Sequence, residues 1–282
     1  MTVLEVADLV KEFRVRGGLH PARLRAVDHV SFTLTPGRTV ALVGESGSGK
    51  STIARIIARL ERPTGGRVTL TGADGAPVPD RDYRHHVQMV FQDPFASLNP
   101  FHTIAHHLAR PLRLHGRART RTGTWSAAAE LLERVSLPAA AIGHRRPHEL
   151  SGGQRQRVAI ARALAPGATV LVADEPVSML DVSIRLDVLN LLAHLQREEN
   201  LAVLYITHDL ATARHFADDI LVLYRGRVVE RGPADKVIRT PRHPYTQLLA
   251  AASPDPAARG RSVNIDPAEV IKAGSMPPYE HP

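Results

Sequence analysis

A glycine-rich octapeptide at residues 44–51, GESGSGKS, constrains the fold of this chain more than any other segment. It fits the pattern G-x-x-x-x-G-K-[ST]. An apolar run at 39–43 precedes it, and residues 50–60 carry apolar side chains at helical spacing. This strand–loop–helix context is what allows backbone N–H groups to curl around phosphates. The segment therefore predicts an α/β fold with a phosphate-binding loop at the end of a strand.

The loop offers three kinds of group to a nucleotide. Its backbone N–H groups cradle phosphate oxygens, Lys50 brings a cation to the β- and γ-phosphates, and the Ser51 hydroxyl is a candidate Mg²⁺ ligand. The predicted nucleotide-binding residues of the loop are Gly44, Glu45, Ser46, Gly47, Ser48, Gly49, Lys50, Ser51 and Thr52.

Two acidic residues follow a second apolar run, VLVA at 170–173. A buried strand that ends in Asp174 brings a carboxylate to the sheet edge where open α/β sheets bind their ligands. Asp174 then suits the Mg²⁺ shell, and Glu175 is placed to orient and deprotonate an attacking water. An acidic turn at a strand end is the alternative for this motif in isolation.

Two further polar residues lie where strands are predicted to end. His208 follows the apolar run at 202–207, so its imidazole could donate to a γ-phosphate. Gln92 lies in VFQDP, and its amide could contact Mg²⁺ or water. Taken alone, a histidine is more often a surface or core residue, and a glutamine more often a solvated one.

The stretch LSGGQRQR at 150–157 predicts the start of a helix that can bind an anion, although the segment itself supplies none. Ser151 can cap the helix, with Gln154 reaching back in a capping box. Gly152 and Gly153 leave the first-turn N–H groups unshielded, which favours binding of an anion. That anion has to come from outside this segment, and the pattern therefore points to a second molecule.

Composition excludes several classes of site. There is no cysteine, which rules out disulfides, thiolate zinc sites, cysteine-ligated iron–sulfur clusters and a cysteine nucleophile.

No apolar run approaches the ~18 residues that span a bilayer, and the start lacks a signal-peptide pattern, so we expect a cytoplasmic, soluble protein. The net charge of +8 indicates an anionic partner or an arginine-rich composition, and the small number of lysines favours the latter.

The chain is organised in three parts. Short strands are predicted at 3–6, 11–15, 27–34 and 39–43, and a strand pair from Gly65 through Leu70. Residues 93–165 form an inserted helical lobe, with helices at 103–114 and 126–135. Strands at 170–173 and 202–207 follow, with a hairpin turn at Arg225-Gly226, and the proline-rich residues beyond 252 form an extended tail.

Five motifs in one order resemble the ATP-binding-cassette (ABC) ATPases: the phosphate loop, Gln92, LSGGQRQR, VLVADE and His208. The resemblance covers about residues 2–252. It implies a P-loop NTPase core with a mostly parallel sheet, an N-terminal antiparallel β subdomain and an inserted helical subdomain. The nucleotide-binding domain would span residues 1–252, and residues 253–282 would form a C-terminal extension.

The same resemblance implies ATP and Mg²⁺ as cofactors, and a dimer that buries two ATP molecules head to tail. In such a dimer Ser151 and Gly153 meet the γ-phosphate held by the opposite subunit, and Asp181 couples the two sites. Phe13 is the candidate for stacking on adenine, with a core position as the alternative. The implied catalytic residues are Glu175, His208, Lys50 and Gln92, and the implied metal ligands are Ser51, Gln92 and Asp174.

Three further segments, MVFQDPFASLNP, DVSIR and RHPYTQLLA, resemble the dipeptide/oligopeptide/nickel importer ATPases. This implies an ATP-hydrolysing subunit of an importer, most simply for di- or oligopeptides, at the cytoplasmic face of the membrane. Its partners would be permease subunits, a second ABC ATPase of the same or another sequence and, indirectly, a substrate-binding protein, with no specific nucleic acid.

Two departures from that subgroup bear on the substrate. Many of its members carry a cysteine-bearing C-terminal region with an iron–sulfur cluster, whereas this chain has no cysteine. In addition, residues 253–282 match no tail of the subgroup that we can place. Two other functions therefore stay open. One is an accessory ABC ATPase of a carbon–phosphorus lyase complex, and the other is a DNA-acting ABC protein.

Overall fold

A computed structural model describes residues 2–15 and 22–252, together with Val270, Ala273, Tyr279 and Glu280. The described strands are β1 (Val3–Val15), β2 (Ala22–Leu34), β3 (Thr39–Val43), β4 (Gly65–Thr71), β5 (Val87–Val90), β6 (Val170–Asp174), β7 (Ala202–Thr207), β8 (Asp219–Tyr224), β9 (Arg227–Pro233) and β10 (Tyr279–Glu280). The described helices are α1 (Lys50–Ile57), α2 (Asp80–His86), α3 (Pro94–Ser97), α4 (Ile104–Leu114), α5 (Arg121–Arg134), α6 (Ala139–Ile142), α7 (Gly152–Leu164), α8 (Val182–Glu198), α9 (Leu210–Phe216), α10 (Ala234–Arg239) and α11 (Pro244–Ala252).

The described strands form two sheets. The smaller sheet is antiparallel with the order β2-β1-β4. The larger sheet has the order β10-β9-β8-β3-β7-β6-β5, in which β3 pairs in parallel with β7 and β8, and β6 pairs in parallel with β5 and β7. The β8–β9 hairpin is antiparallel and turns at Arg225-Gly226, as predicted. The predicted α/β class, with a mostly parallel sheet and an N-terminal antiparallel one, is confirmed.

Strands β3, β6 and β7 are buried along their whole length and mostly apolar, because both faces of the larger sheet are covered there. In β3, Ala41 and Val43 face a core that includes residues of α7 and α8. Val40 and Leu42 face a second core, which includes α1 and the smaller sheet. The side chains of β6 and β7 alternate between the same two cores, so the fold has three layers.

The N-terminal strands are longer than the sequence pattern predicted. Strand β1 runs unbroken through the residues between the two predicted strands, and its pairing with β2 is irregular near Val6, Leu9 and Lys11. Asp8 and His29 lie in the irregular segment with φ of 51° and 53°. Such bulges shift the alternation of side chains, which is why the pattern appeared to stop and restart.

Helices α3 to α6 lie between β5 and α7 in the chain, where the sequence predicted an inserted lobe. Thr103 caps α4 by accepting a hydrogen bond from the His106 N–H, and Thr120 caps α5, which begins earlier than predicted. In the part of the chain that the structure describes, no helix is long and apolar enough to cross a bilayer.

Most of residues 253–282 fall outside the described part of the chain. Val270 and Ala273 are buried, and β10 pairs in parallel with β9. The predicted domain boundary at residue 252 and the predicted extended tail stay predictions.

Two glycines let the loop after β3 pass close to other backbone segments. A Cβ at Gly49, whose φ is +109°, would overlap the carbonyl oxygen of Ala26 in β2. A Cβ at Gly44 would overlap the carbonyl oxygen of Leu223 in β8. Backbone atoms move little, so these contacts require glycine. By contrast, a Cβ at Gly47, whose φ is +80°, would meet no heavy atom within 4 Å.

Replacing Gly49 by alanine is therefore expected to be far more damaging than the same change at Gly47. Gly47→Ala adds only the strain of a left-handed backbone, about 1–2 kcal/mol. Gly49→Ala adds a backbone clash to that strain, and we expect its free energy of unfolding to fall by more than about 3 kcal/mol. Urea denaturation of the nucleotide-free chain measures both. Equal losses would contradict the steric role of Ala26.

Candidate nucleotide site

Four chain segments converge at one edge of the larger sheet. Strands β3, β5, β6 and β7 run parallel, so their carboxyl ends lie together. The phosphate loop follows β3, Asp174 ends β6, and His208 follows β7. Gln92 lies two residues beyond the end of β5. This edge is where open α/β sheets bind ligands.

Ser51 and Asp174 form an oxygen pair suited to a hard cation. The Ser51 hydroxyl donates to Asp174 Oδ1 at 3.2 Å. Burial raises the pKa of the Asp174 carboxyl, and the hydrogen bond from Ser51 opposes that shift. No group of three or more His, Cys, Asp or Glu among the described residues could hold a metal alone. A hydroxyl and a carboxylate oxygen are ligands that suit Mg²⁺, which takes few protein ligands and completes its shell with water and phosphate oxygens.

Lys50 is buried and held on backbone carbonyls. Its ammonium donates to the carbonyl oxygens of Gly44 at 2.6 Å and Glu45 at 2.7 Å. Burial lowers the pKa of Lys50, while the negative charges of Glu175, Asp174 and Glu45 oppose that shift. The result is a cation anchored inside the loop that would wrap a phosphate.

Glu175 lies between two polar side chains from different strand ends. Its Oε2 accepts from Gln92 Nε2 at 3.1 Å and lies 3.2 Å from His208 Nδ1. The Glu175 backbone has φ of +46°, which a non-glycine residue rarely adopts. Its N–H donates to Ile206 O at 3.0 Å, and its carbonyl accepts from the Ser178 hydroxyl at 3.0 Å. These bonds hold the sharp turn that directs the side chain out of the sheet edge.

The predicted capping box at the start of α7 is present. Ser151 Oγ accepts from the Gln154 N–H at 3.2 Å, and Gln154 Oε1 accepts from the Ser151 N–H at 3.0 Å. The structure gives Gly153 a second reason to be glycine. A Cβ there would lie 2.5 Å from Cγ2 of Ile184, so α8 packs directly on the first turn of α7.

Several predicted residues do not meet the phosphate loop within this chain. No hydrogen bond or ion pair in residues 2–15 and 22–252 joins Ser151, Gly153 or Asp181 to the loop. Asp181 is the N-terminal flanking residue of α8 and is exposed. Phe13 is half-buried in β1, and the Lys11 ammonium lies 4.9 Å from its ring centroid. Its stacking on adenine stays a prediction.

Sequence reasoning missed one contact at the loop. The Glu45 N–H donates to the hydroxyl of Tyr245 at 2.8 Å, across a sequence separation of 200 residues. Tyr245 belongs to the HPYTQLL segment, which the sequence marked as a subgroup resemblance without a structural role. No periodicity or spacing in the sequence links it to the loop.

Two families match the chain. Residues 27–178, more than half of the chain, match the ABC transporter family. Residues 229–278 match the C-terminal region of oligopeptide/dipeptide transporters. The expectation that residues 253–282 match no tail of that subgroup is therefore wrong, since this second match runs through most of them.

Curated relatives and solved structures agree with these matches. The chain is 44% identical over 288 residues to the di/tripeptide transport ATP-binding protein DppF of Pseudomonas aeruginosa, covering 100% of this chain and 86% of that protein. It is 42% identical over 288 residues to the oligopeptide transport ATP-binding protein AppF of Bacillus subtilis, again covering 100% of this chain and 86% of the relative. A dimeric post-hydrolysis structure of the ATP-binding cassette MJ0796 bound to ADP and Pi shares 31% identity and a TM-score of 0.70, covering 82% of this chain and 98% of that one.

The sheet edge collects a phosphate loop, an acid pair, a glutamine and a histidine, and a capped helix start of the LSGGQ type stands apart from them. The family match and the relatives' identities of 42–44% over the whole of this chain agree with this arrangement. The chain therefore belongs to the ABC transporter family and is a nucleotide-binding ATPase of that family.

Proposed function

We propose that this chain is the ATP-hydrolysing subunit of an ABC importer of di- or oligopeptides. The observation that carries the peptide assignment is the match of residues 229–278 to the C-terminal region of oligopeptide/dipeptide transporters. The ATPase core alone would not separate a peptide importer from other ABC transporters. The names of the relatives in Pseudomonas aeruginosa and Bacillus subtilis support the same substrate class.

The hydrolytic chemistry follows from the contacts at the sheet edge. ATP binds in the phosphate loop, where Lys50 exchanges its carbonyl partners for phosphate oxygens. Glu175 orients a water and accepts its proton as the water attacks the γ-phosphorus. Gln92 and His208 keep the Glu175 carboxylate in place through its Oε2. His208 would also donate to the γ-phosphate. Lys50 and His208 stabilise the charge that develops on the phosphoryl oxygens.

Ser51 and Asp174, with the amide oxygen of Gln92, would hold Mg²⁺. The ion supplies positive charge to the β- and γ-phosphate oxygens when it is bound.

A second ATPase subunit would complete each site. Ser151 and the first-turn N–H groups of α7 would bind the γ-phosphate held by the partner, which supplies the anion that this helix start lacks. Next to Asp181, the apolar side chains of Met179, Val182 and Leu186 are exposed at 56%, 73% and 48%. An exposed apolar strip at the start of α8, which packs on the first turn of α7, supports burial against another chain.

A groove beside Gln92 offers a surface for a membrane-spanning partner. It has a volume of about 890 Å³ and runs between the end of β5 and helix α4. Its lining includes the exposed apolar side chains of Phe91 and Leu114 together with Arg110. Because Gln92 contacts Glu175, a permease segment seated here would lie one residue from the hydrolytic site. The subunit would then act at the cytoplasmic face of the membrane, and a substrate-binding protein would act on it only through the permease.

Neither of the two alternative functions receives support from the relatives. The relatives are named as peptide transport proteins, not as phosphonate enzymes or DNA-acting proteins. The arginine-rich composition accounts for the net charge of +8 without a nucleic acid partner.

Glu175→Gln should lower the rate of ATP hydrolysis by at least about 100-fold, because the amide cannot accept the proton of water. ATP binding should stay within a few-fold of wild type, and the ATP-bound dimer should accumulate on size exclusion. Glu198→Gln, an exposed acid at the end of α8, is the matched control and should leave turnover unchanged. Hydrolysis at the wild-type rate by the Glu175 variant would refute the base assignment.

Ser151→Ala should reduce hydrolysis strongly while nucleotide binding to the isolated monomer stays near wild type, because Ser151 acts on the partner's ATP. The substitution also removes a helix cap, which costs about 1 kcal/mol of stability. Thr120→Ala removes a comparable cap from α5 and controls for that loss. Equal loss of hydrolysis and monomer binding in the Ser151 variant would count against action in trans.

Cells that lack this chain should lose uptake of a labelled di- or oligopeptide. The wild-type gene should restore uptake, and the Glu175→Gln gene should not. Normal peptide uptake combined with loss of growth on a phosphonate as the phosphorus source would favour the lyase alternative. Salt-dependent binding of the purified chain to duplex DNA would favour the DNA-acting alternative.

A further inference from the structure

The phosphate loop is contacted by a residue from the C-terminal region that matches oligopeptide/dipeptide transporters. Tyr245, in the first turn of α11, is 3% exposed, and its hydroxyl accepts the hydrogen bond of the Glu45 N–H at 2.8 Å. A tyrosine from outside the ATPase core motifs thus contacts the second residue of the loop.

The bond acts on a peptide group that also holds the loop lysine. The carbonyl of Gly44 and the N–H of Glu45 belong to one peptide plane, and they point to opposite sides because the peptide is trans. The Gly44 carbonyl accepts from Lys50 Nζ at 2.6 Å, and the Glu45 N–H donates to Tyr245. A planar peptide rotates as a unit, so fixing one edge fixes the other. Tyr245 therefore sets the orientation of the carbonyl that anchors Lys50.

Tyr245 is itself held rigidly. Its ring lies 4.5 Å from the ring of Tyr224, at an angle of 40°. Its N–H donates to Nδ1 of His243 at 3.0 Å. The backbone N–H groups of Arg242 and His243 each donate to the buried carboxylate of Glu230 at 2.9 Å. Burial raises the pKa of the Tyr245 hydroxyl to about 12, so the group stays neutral in the physiological range.

We propose that Tyr245 is a positioning residue for ATP binding. By holding the Gly44–Glu45 peptide, it presents Lys50 to the incoming phosphates and lowers the reorganisation needed when they bind. The C-terminal region would thereby contribute to the nucleotide site of its own subunit. This inference rests on nucleotide binding at the loop and not on the identity of the imported solute.

The test compares two hydroxyl deletions in one aromatic pair. Tyr245→Phe keeps the ring and removes the acceptor of the Glu45 N–H. Tyr224→Phe removes the hydroxyl of the neighbouring ring, which has no hydrogen-bond partner among the described residues. In the full chain with Mg²⁺, the Kd of a fluorescent ADP should rise about three- to tenfold for Tyr245→Phe, as expected for one hydrogen bond. It should stay within twofold of wild type for Tyr224→Phe.

Two further measurements separate positioning from stability. The Glu45 amide should exchange its hydrogen faster in nucleotide-free Tyr245→Phe than in Tyr224→Phe. In steady-state assays, the KM for ATP should rise while kcat stays within about twofold, because Tyr245 touches neither the water nor Glu175. A merely structural role would lower the free energy of unfolding in urea and leave the Kd of the folded protein unchanged.

A Kd for Tyr245→Phe within twofold of that for Tyr224→Phe would overturn the proposal. Lys50→Ala distinguishes that outcome from failure of the site itself. If Lys50→Ala abolishes ADP binding while Tyr245→Phe binds normally, the positioning role alone is wrong. If Lys50→Ala binds as tightly as wild type, the assignment of the nucleotide loop is wrong as well.

Discussion

The parallel pairing of β3, β5, β6 and β7 is the constraint on which the rest of the structure depends. Both faces of β3, β6 and β7 are buried, so their central residues are largely apolar, and the acids and histidine of the site appear where the strands end. Because the strands run in one direction, those ends share one edge of the sheet. Lys50, Asp174, Glu175 and His208 are brought together by this geometry although up to 158 residues separate them in the chain. An antiparallel arrangement of the same strands would scatter them over two edges.

Burial acts on the charged groups of this edge in opposite directions. It lowers the pKa of the Lys50 ammonium and raises that of the Asp174 carboxyl, so each is driven toward its neutral form. Each is held against that tendency by its neighbours, Lys50 by nearby acids and Asp174 by the Ser51 hydroxyl. A phosphate–Mg²⁺ ligand would bring a negative charge to the lysine and a positive charge to the acid. The electrostatics of the edge thus match the charge pattern of the ligand that the family binds.

The phosphate loop is shaped from outside as much as by its own residues. The backbone of Ala26 approaches Gly49, the backbone of Leu223 approaches Gly44, and the hydroxyl of Tyr245 binds the Glu45 N–H. These contacts come from the smaller sheet, from β8 and from the C-terminal helix α11. Their convergence gives a physical reason for the C-terminal region to belong with the ATPase core. Close packing recurs at α7, where the buried Gly153 permits contact with Ile184 of α8.

The sequence by itself determined the α/β class, the loop residues, the acids at the end of β6 and the capping box of α7, because each depends on residues within a few positions of one another. It did not predict the continuous β1, since the bulge at Asp8 breaks the alternation on which strand prediction relies. It could not predict that Gln92 and His208 share the Glu175 carboxylate, or that Tyr245 meets Glu45. Those contacts join residues far apart in the chain, and no local pattern encodes them. Only the packing of strands and helices decided them, because distance in space between such residues is set by the whole sheet and not by any one segment.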